Sequence, residues 1–254
     1  MEYLIQQSVT TIRERFHEPL SLDDLARSAM ISKYYFLRLF TRVTGVTPGR
    51  FLSAVRLHEA KRLLVTTSLN VADISAQVGY SSTGTFSRRF SESVGVSPTQ
   101  YRRLRSEADA LPGEPVQPGQ AADVPAAGLC SLTGTISAAE PPTAPAYVGL
   151  FDSPILQGRP VATAFAKDEF QLDDIPPGTW YVHAVAHSEA VPSPEPPVLV
   201  GVAGPLHLAA GGRGRAEVTL VPYDWTSPPI LSVFQTVEGC AQQPCAQEAA
   251  TTST

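Results

Sequence analysis

Apolar residues recur every three or four positions through the first hundred residues, and every second position from about residue 130 onward. The first period belongs to amphipathic helices and the second to half-buried strands. Leu4, Ile5, Val9, Ile12 and Phe16 mark one stripe of a predicted helix over 2–17, which Pro19 stops. Ser21 caps a short helix over 22–29, whose early Asp23 and Asp24 suit the positive end of the helix dipole. Ser32 caps the next, with Phe36, Leu39, Phe40 and Val43 inward and Tyr34, Leu37, Arg38 and Thr41 on the opposite face. Gly45 ends that helix and Pro48 opens a longer one over 49–65. Asn70 then caps a helix over 71–78 and Gly79-Tyr80-Ser81 turns the chain. Ser82 caps a further helix with Phe86, Phe90 and Val94 inward and Thr85, Arg88 and Glu92 outward.

These elements form a repeat. Moving residues 32–51 forward by 50 sets Ser32, Phe36, Arg38, Phe40, Gly45 and Pro48 on Ser82, Phe86, Arg88, Phe90, Gly95 and Pro98. Self-similarity at a fixed period defines the unit of a fold. Here the unit is a short helix, a turn, and a second helix with an outward arginine. Charge divides at the same place. Residues 1–105 hold 15 Lys and Arg against 8 Asp and Glu, and residues 106–254 hold 4 against 16, for net charges of +7 and −12. One part is suited to polyanions and the other is not. Three of the 23 prolines lie before residue 106, so helix-compatible sequence gives way to sequence that helices do not tolerate.

The paired signatures Ser32…Phe36-x-Arg38-x-Phe40…Gly45-Val46-x-Pro48 and Gly79-Tyr80-x-Ser82…Phe86-x-Arg88-x-Phe90…Gly95-Val96-x-Pro98-x-x-Tyr101 closely resemble the DNA-binding domain of AraC/XylS-type transcription regulators. The resemblance covers essentially all of 1–105. It implies two recognition helices, tied by the 49–65 helix, that enter successive major grooves about 34 Å apart. On this expectation Tyr34, Leu37, Arg38, Thr83, Thr85 and Arg88 face bases, with the arginines able to grip guanine through two parallel hydrogen bonds. Ser32, Lys33, Arg42, Ser82 and Arg89 are expected on phosphates, which fix register without reading sequence. The four phenylalanines of the repeat are expected in the core. Gly84 departs from the family by standing where a polar reader is common. The resemblance also implies contact with RNA polymerase.

Residues 106–127 are rich in Ala, Pro, Gly and acid and read as a solvated linker. Beyond them, strands are predicted at 131–137, 146–151, 161–166, 169–172, 179–187, 198–202 and 215–220, separated by Pro/Gly turns. This spacing predicts an antiparallel β-sandwich. The run with Pro176-Pro177-Gly178-Thr179-Trp180 at its centre resembles transthyretin-like, carboxypeptidase-regulatory-type domains over about 128–222. The fold class expected is therefore multi-domain α then β: an all-α double helix-turn-helix domain (1–105), the linker, a sandwich that senses or assembles (128–235), and a disordered tail (236–254). The sandwich is expected to bind a small-molecule effector; the alternative is a dimerisation or protein-interaction module, giving a homodimer. Trp225 and the apolar 230–234 run are expected to cover a sheet edge or a subunit contact.

Catalysis is not expected, because acidic residues are scattered and no serine stands in a nucleophile elbow. No cofactor is expected. His183 and His187 share a strand face with Tyr181 but stand about 13 Å apart, too far for one metal. That face is read first as polar and solvent-facing, and second as a ligand or partner surface. Cys130, Cys240 and Cys245, an odd number with no clustered histidines, fit a reduced cytoplasmic protein better than a secreted one, with a Cys240–Cys245 pair as the alternative. Without a signal-peptide pattern or an apolar run near 20 residues, a cytoplasmic location and no membrane partner are expected.

Overall fold

A computed structural model describes residues 2–108, 128–139, 142–187 and 198–232. Seven helices come first: α1 (Glu2–Glu14), α2 (Leu22–Ser28), α3 (Lys33–Thr44), α4 (Pro48–Thr66), α5 (Val71–Gln77), α6 (Thr83–Val94) and α7 (Pro98–Ala108). Their boundaries follow local chemistry. Ser21, Ser32, Asn70 and Ser82 each accept a backbone N–H of the first turn, and Asp24 completes a capping box with Ser21. Gly45 and Gly95 end α3 and α6 at φ 75° and 94°, a conformation with no steric cost for glycine.

The repeat extends into the core. Phe36, Phe40 and Phe51 stack in series with ring centroids 5.7 Å apart, and Phe86, Phe90 and Tyr101 do the same at 5.6 and 5.8 Å. All six are buried, so none is a base-stacking aromatic. Helix α4 joins the two units through backbone carbonyls. Arg56 donates to Phe16 O (2.7 Å) and Glu18 O (2.8 Å) and lies over the Tyr80 ring. Arg102 of α7 donates to Leu64 O in the last turn of α4 and to Leu69 O just beyond it.

The turns of the two units differ by one residue, and one of them is strained. After α2 the left-handed residue is Met30, at φ 54° and 88% exposed; after α5 it is Gly79, at φ 86°. A left-handed L-residue costs about 1–2 kcal/mol, and Met30 recovers little of that by burial. Met30→Gly is expected to stabilise the protein by about 0.5–1 kcal/mol, after the extra chain entropy of glycine is deducted. A thermal melt would show it as a rise of a few degrees.

The β region has strands β1 (Cys130–Ala138), β2 (Ala146–Phe151), β3 (Ala162–Ala166), β4 (Glu169–Ile175), β5 (Gly178–His187), β6 (Val198–Leu208) and β7 (Arg213–Pro222). All seven predicted strands are present. Their order is β3-β2-β5-β6-β7-β1-β4. The antiparallel expectation is corrected at one pairing: β1 and β7 run parallel from Ser131–Arg213 to Ala138–Leu220. Parallel neighbours need a long crossover, and here five intervening strands supply it. The end strands β3 and β4 are joined by a turn and lie together. The result is a mixed, nearly barrel-like sheet around Leu132, Val148, Phe170, Val182, Val218 and Leu220. Strand β6 outruns its predicted end at Val202. Its second half pairs with Gly178–Val182 of β5.

Most of the expected linker and all of the expected tail after 236 lie outside the described residues, as do Val233, Phe234, Cys240 and Cys245. Cys130 is buried, with its thiol donating to Ala209 O.

Candidate nucleic-acid interface

Helices α3 and α6 present matching outward faces. Tyr34 is 79% exposed, with Arg38 and Arg42 exposed beside it on α3 and Leu37 half-buried. On α6, Thr83, Gly84, Thr85, Arg88 and Arg89 are all exposed. Ser32 and Ser82 spend their hydroxyls on the N–H groups of Tyr35 and Thr85. The remaining first-turn N–H groups face outward at the positive end of each helix dipole. A methyl group at Gly84 would meet only Ser82 Oγ, at 3.8 Å. No packing demand explains the glycine, and it leaves the α6 backbone open to close approach.

Two of the expected contact residues are engaged with carboxylates. Lys33 Nζ lies 2.8 Å from Asp23 on α2, and this hydrogen bond raises its pKa from the usual lysine value. Arg88 lies 3.1 Å from Glu92, one turn further along α6. Both pairs are solvent-exposed and screened, so they hold their side chains weakly. The Arg88–Glu92 pair has a sequence signal in its i,i+4 spacing. The Lys33–Asp23 pair has none, because it joins two helices.

A helix-turn-helix domain family model matches residues 25–104. The HTH-type transcriptional activator AarP of Providencia stuartii is 32% identical over 99 residues, covering 39% of this chain and 73% of that protein. The chain belongs to the AraC family of transcription regulators. The lactose operon transcription activator of Staphylococcus xylosus is 33% identical over 98 residues, 39% of this chain. The chain spans about a third of that relative's length (35%). The DNA-binding domain of AdpA, solved in complex with a target DNA, aligns at 28% identity over 43% of this chain and 97% of that domain, with a TM-score of 0.39.

What the sequence did not reveal in this AraC-family chain is how the β region grips the helices. The loop after β2 reaches the end of α6. Gly158 N donates to Ser93 O, and Arg159 Nε donates to Gly95 O at 2.9 Å. These bonds satisfy carbonyls that a helix C-terminus leaves open, with a cation at the negative end of the dipole. Ile155 and Leu231 are buried in the helical core, with Trp225 packed against it. Lys61 donates to Ile230 O and Leu231 O, and Arg13 to Ser227 O. The apolar segment near 230 therefore joins the two regions.

The expected polar face of β5 is corrected. Val182, Ala184 and Ala186 point into the sheet core as expected, but on the other face His183 and Val185 are buried as well. Phe151 of β2, Leu156 of the loop after it and Ile230 of the tail pack there. His183 Nε2 lies 2.8 Å from Ser153 O, and its ring meets Phe151 edge-on. Tyr181 and His183 line one cleft, and His187 is not part of it. Among the described residues no three His, Cys, Asp or Glu side chains group to hold a metal ion, and no helix is long and apolar enough to cross a membrane.

Burial pushes the His183 pKa down to about 4. An unfolded histidine titrates near 6.5, so the unfolded state binds the extra proton between these values. Stability is full above pH 6.5 and falls by up to about 3 kcal/mol as pH drops toward 4. In denaturant titrations at pH 7 and pH 4.5, His183→Gln is expected to flatten that fall. An unchanged slope would place the acid sensitivity elsewhere.

Proposed function

We propose that the chain is a sequence-specific DNA-binding transcription regulator that places α3 and α6 in successive major grooves of one duplex, about 34 Å apart. The observation that carries this reading is the repeated pair of recognition-type helices, each with buried phenylalanines behind and an exposed arginine in front. In this reading Arg38 and Arg88 read bases with help from Tyr34, Leu37, Thr83 and Thr85. Lys33, Arg42, Arg89 and the capped N-termini at Ser32 and Ser82 hold phosphates. The basic balance of 1–105 supports polyanion binding, and the acidic remainder keeps the β region off the duplex.

The β region is proposed to sense a small-molecule effector. Its attachment to the end of α6, and a cleft bordered by the end of α3, favour this over a plain dimerisation module. The Pro176-Pro177-Gly178-Thr179-Trp180 turn into β5 supports a transthyretin-like relationship for 128–222. Contact with RNA polymerase belongs to the same proposal. The test is selection of DNA fragments by the full chain, followed by titration against the selected and shuffled sequences at one salt concentration. A specificity ratio of roughly a thousandfold or more is expected. Equal affinity for both would overturn the reading.

A further inference from the structure

A cleft of about 540 Å³ lies where the outer face of β5, β6 and β7 meets the tail segment and the end of α3. Its volume falls within the range of small-molecule sites, about 300–1,000 Å³. Val202 and Val221 border it with about half of their surfaces exposed, 54% and 51%. No Asp, Glu, Lys or Arg lines it among the described residues. A charged ligand would meet no charged side chain in the lining itself, and Arg13 behind it is engaged with Ser227 O, so charge is costly there. The lining includes His183, which is 5% exposed. A carbonyl only accepts, so the 2.8 Å contact with Ser153 O fixes the proton on Nε2 and leaves a lone pair on Nδ1. No described group donates to that Nδ1.

We propose that this cleft binds a compact, uncharged and predominantly apolar molecule whose single hydrogen-bond donor is accepted by His183 Nδ1. Thr44 and Gly45 at the end of α3 border the cleft, so an occupant touches the β sheet and the first recognition helix together. The binding claim stands on the cleft itself; only its coupling to DNA rests on the effector reading proposed above.

The test uses the full chain and N-phenyl-1-naphthylamine, a neutral fluorescent probe with one N–H. A saturable, one-to-one rise in emission is expected. The N-methylated probe, which has no donor, is expected to bind about tenfold more weakly. Val202→Trp, at an exposed position on the rim, is expected to weaken binding about tenfold or more while the melting temperature stays the same. No saturable binding would overturn the proposal. So would binding indifferent to Val202→Trp, or equal binding of the anionic 1-anilinonaphthalene-8-sulfonate. All of these are read without DNA, so failure of the DNA reading is seen separately. Tight probe binding that leaves DNA affinity unchanged would keep the site and refute its role as an effector site.

Discussion

Replacing Arg38 and Arg88 together by alanine is expected to lower affinity for the preferred DNA site by about two to three orders of magnitude. Each bidentate arginine–guanine contact is worth about 1–3 kcal/mol of discrimination. The two residues sit in separate units, so their losses should add. The exposed pair with Glu92 offsets little of the Arg88 contribution. The single variants should differ. Gly84 removes a side chain from the reading face of α6, so the second unit relies more on its backbone. Arg38→Ala should therefore flatten base preference more than Arg88→Ala. Arg42→Ala should instead weaken all DNA about equally and reduce the salt slope by about one unit. Equilibrium titrations on the selected site and on point variants of it, at several salt concentrations, separate the three. Identical behaviour of Arg38→Ala and Arg42→Ala would refute the division between base and phosphate contacts.

Gly79→Ala is expected to destabilise the protein by about 3 kcal/mol and to loosen the second unit from the first. Gly79 holds φ 86°, where an L-residue loses about 1–2 kcal/mol. A methyl group there would stand 2.6 Å from the carbonyl oxygen of His17 and 3.1 Å from the Arg56 guanidinium. Relieving that contact adds about 1–3 kcal/mol. It also pushes on the place where Arg56 binds Phe16 O and Glu18 O. Gly45→Ala is the control, since Gly45 has φ 75° and nothing within 4 Å of the added methyl. It should lose only the conformational cost. Denaturant unfolding of both variants measures the difference, and equal losses would mean that the contact with His17 yields freely.

The helical half was legible because each of its signals is local. Ser21, Ser32, Asn70 and Ser82 cap helices through hydrogen bonds to their own first turns, and Phe36, Phe40, Phe86 and Phe90 obey helical period. Seven strands were legible for the same reason. Their order was not, because the β1–β7 pairing joins residues some 80 positions apart and alternation carries no pairing direction. His183 shows a related limit. Alternation separated it from Val182 and Ala184, but only the distant Leu156 and Ile230 decide that its face is covered too. The outward residues of α3 and α6 could be read from the repeat, whereas the Asp23–Lys33 pair and the hold of Arg159 on α6 depend on tertiary contact.

The central claim is that α3 and α6 read one duplex at two places. Hydroxyl-radical and guanine-methylation footprinting of the full chain on its selected site tests it most directly. The expected pattern is two major-groove contacts on one face, about one helical turn or 34 Å apart. Arg38→Ala should erase guanine protection in one region and Arg88→Ala should weaken it in the other, with backbone protection kept in both. A single contact region, or two regions whose guanine protection survives either substitution, would contradict the account.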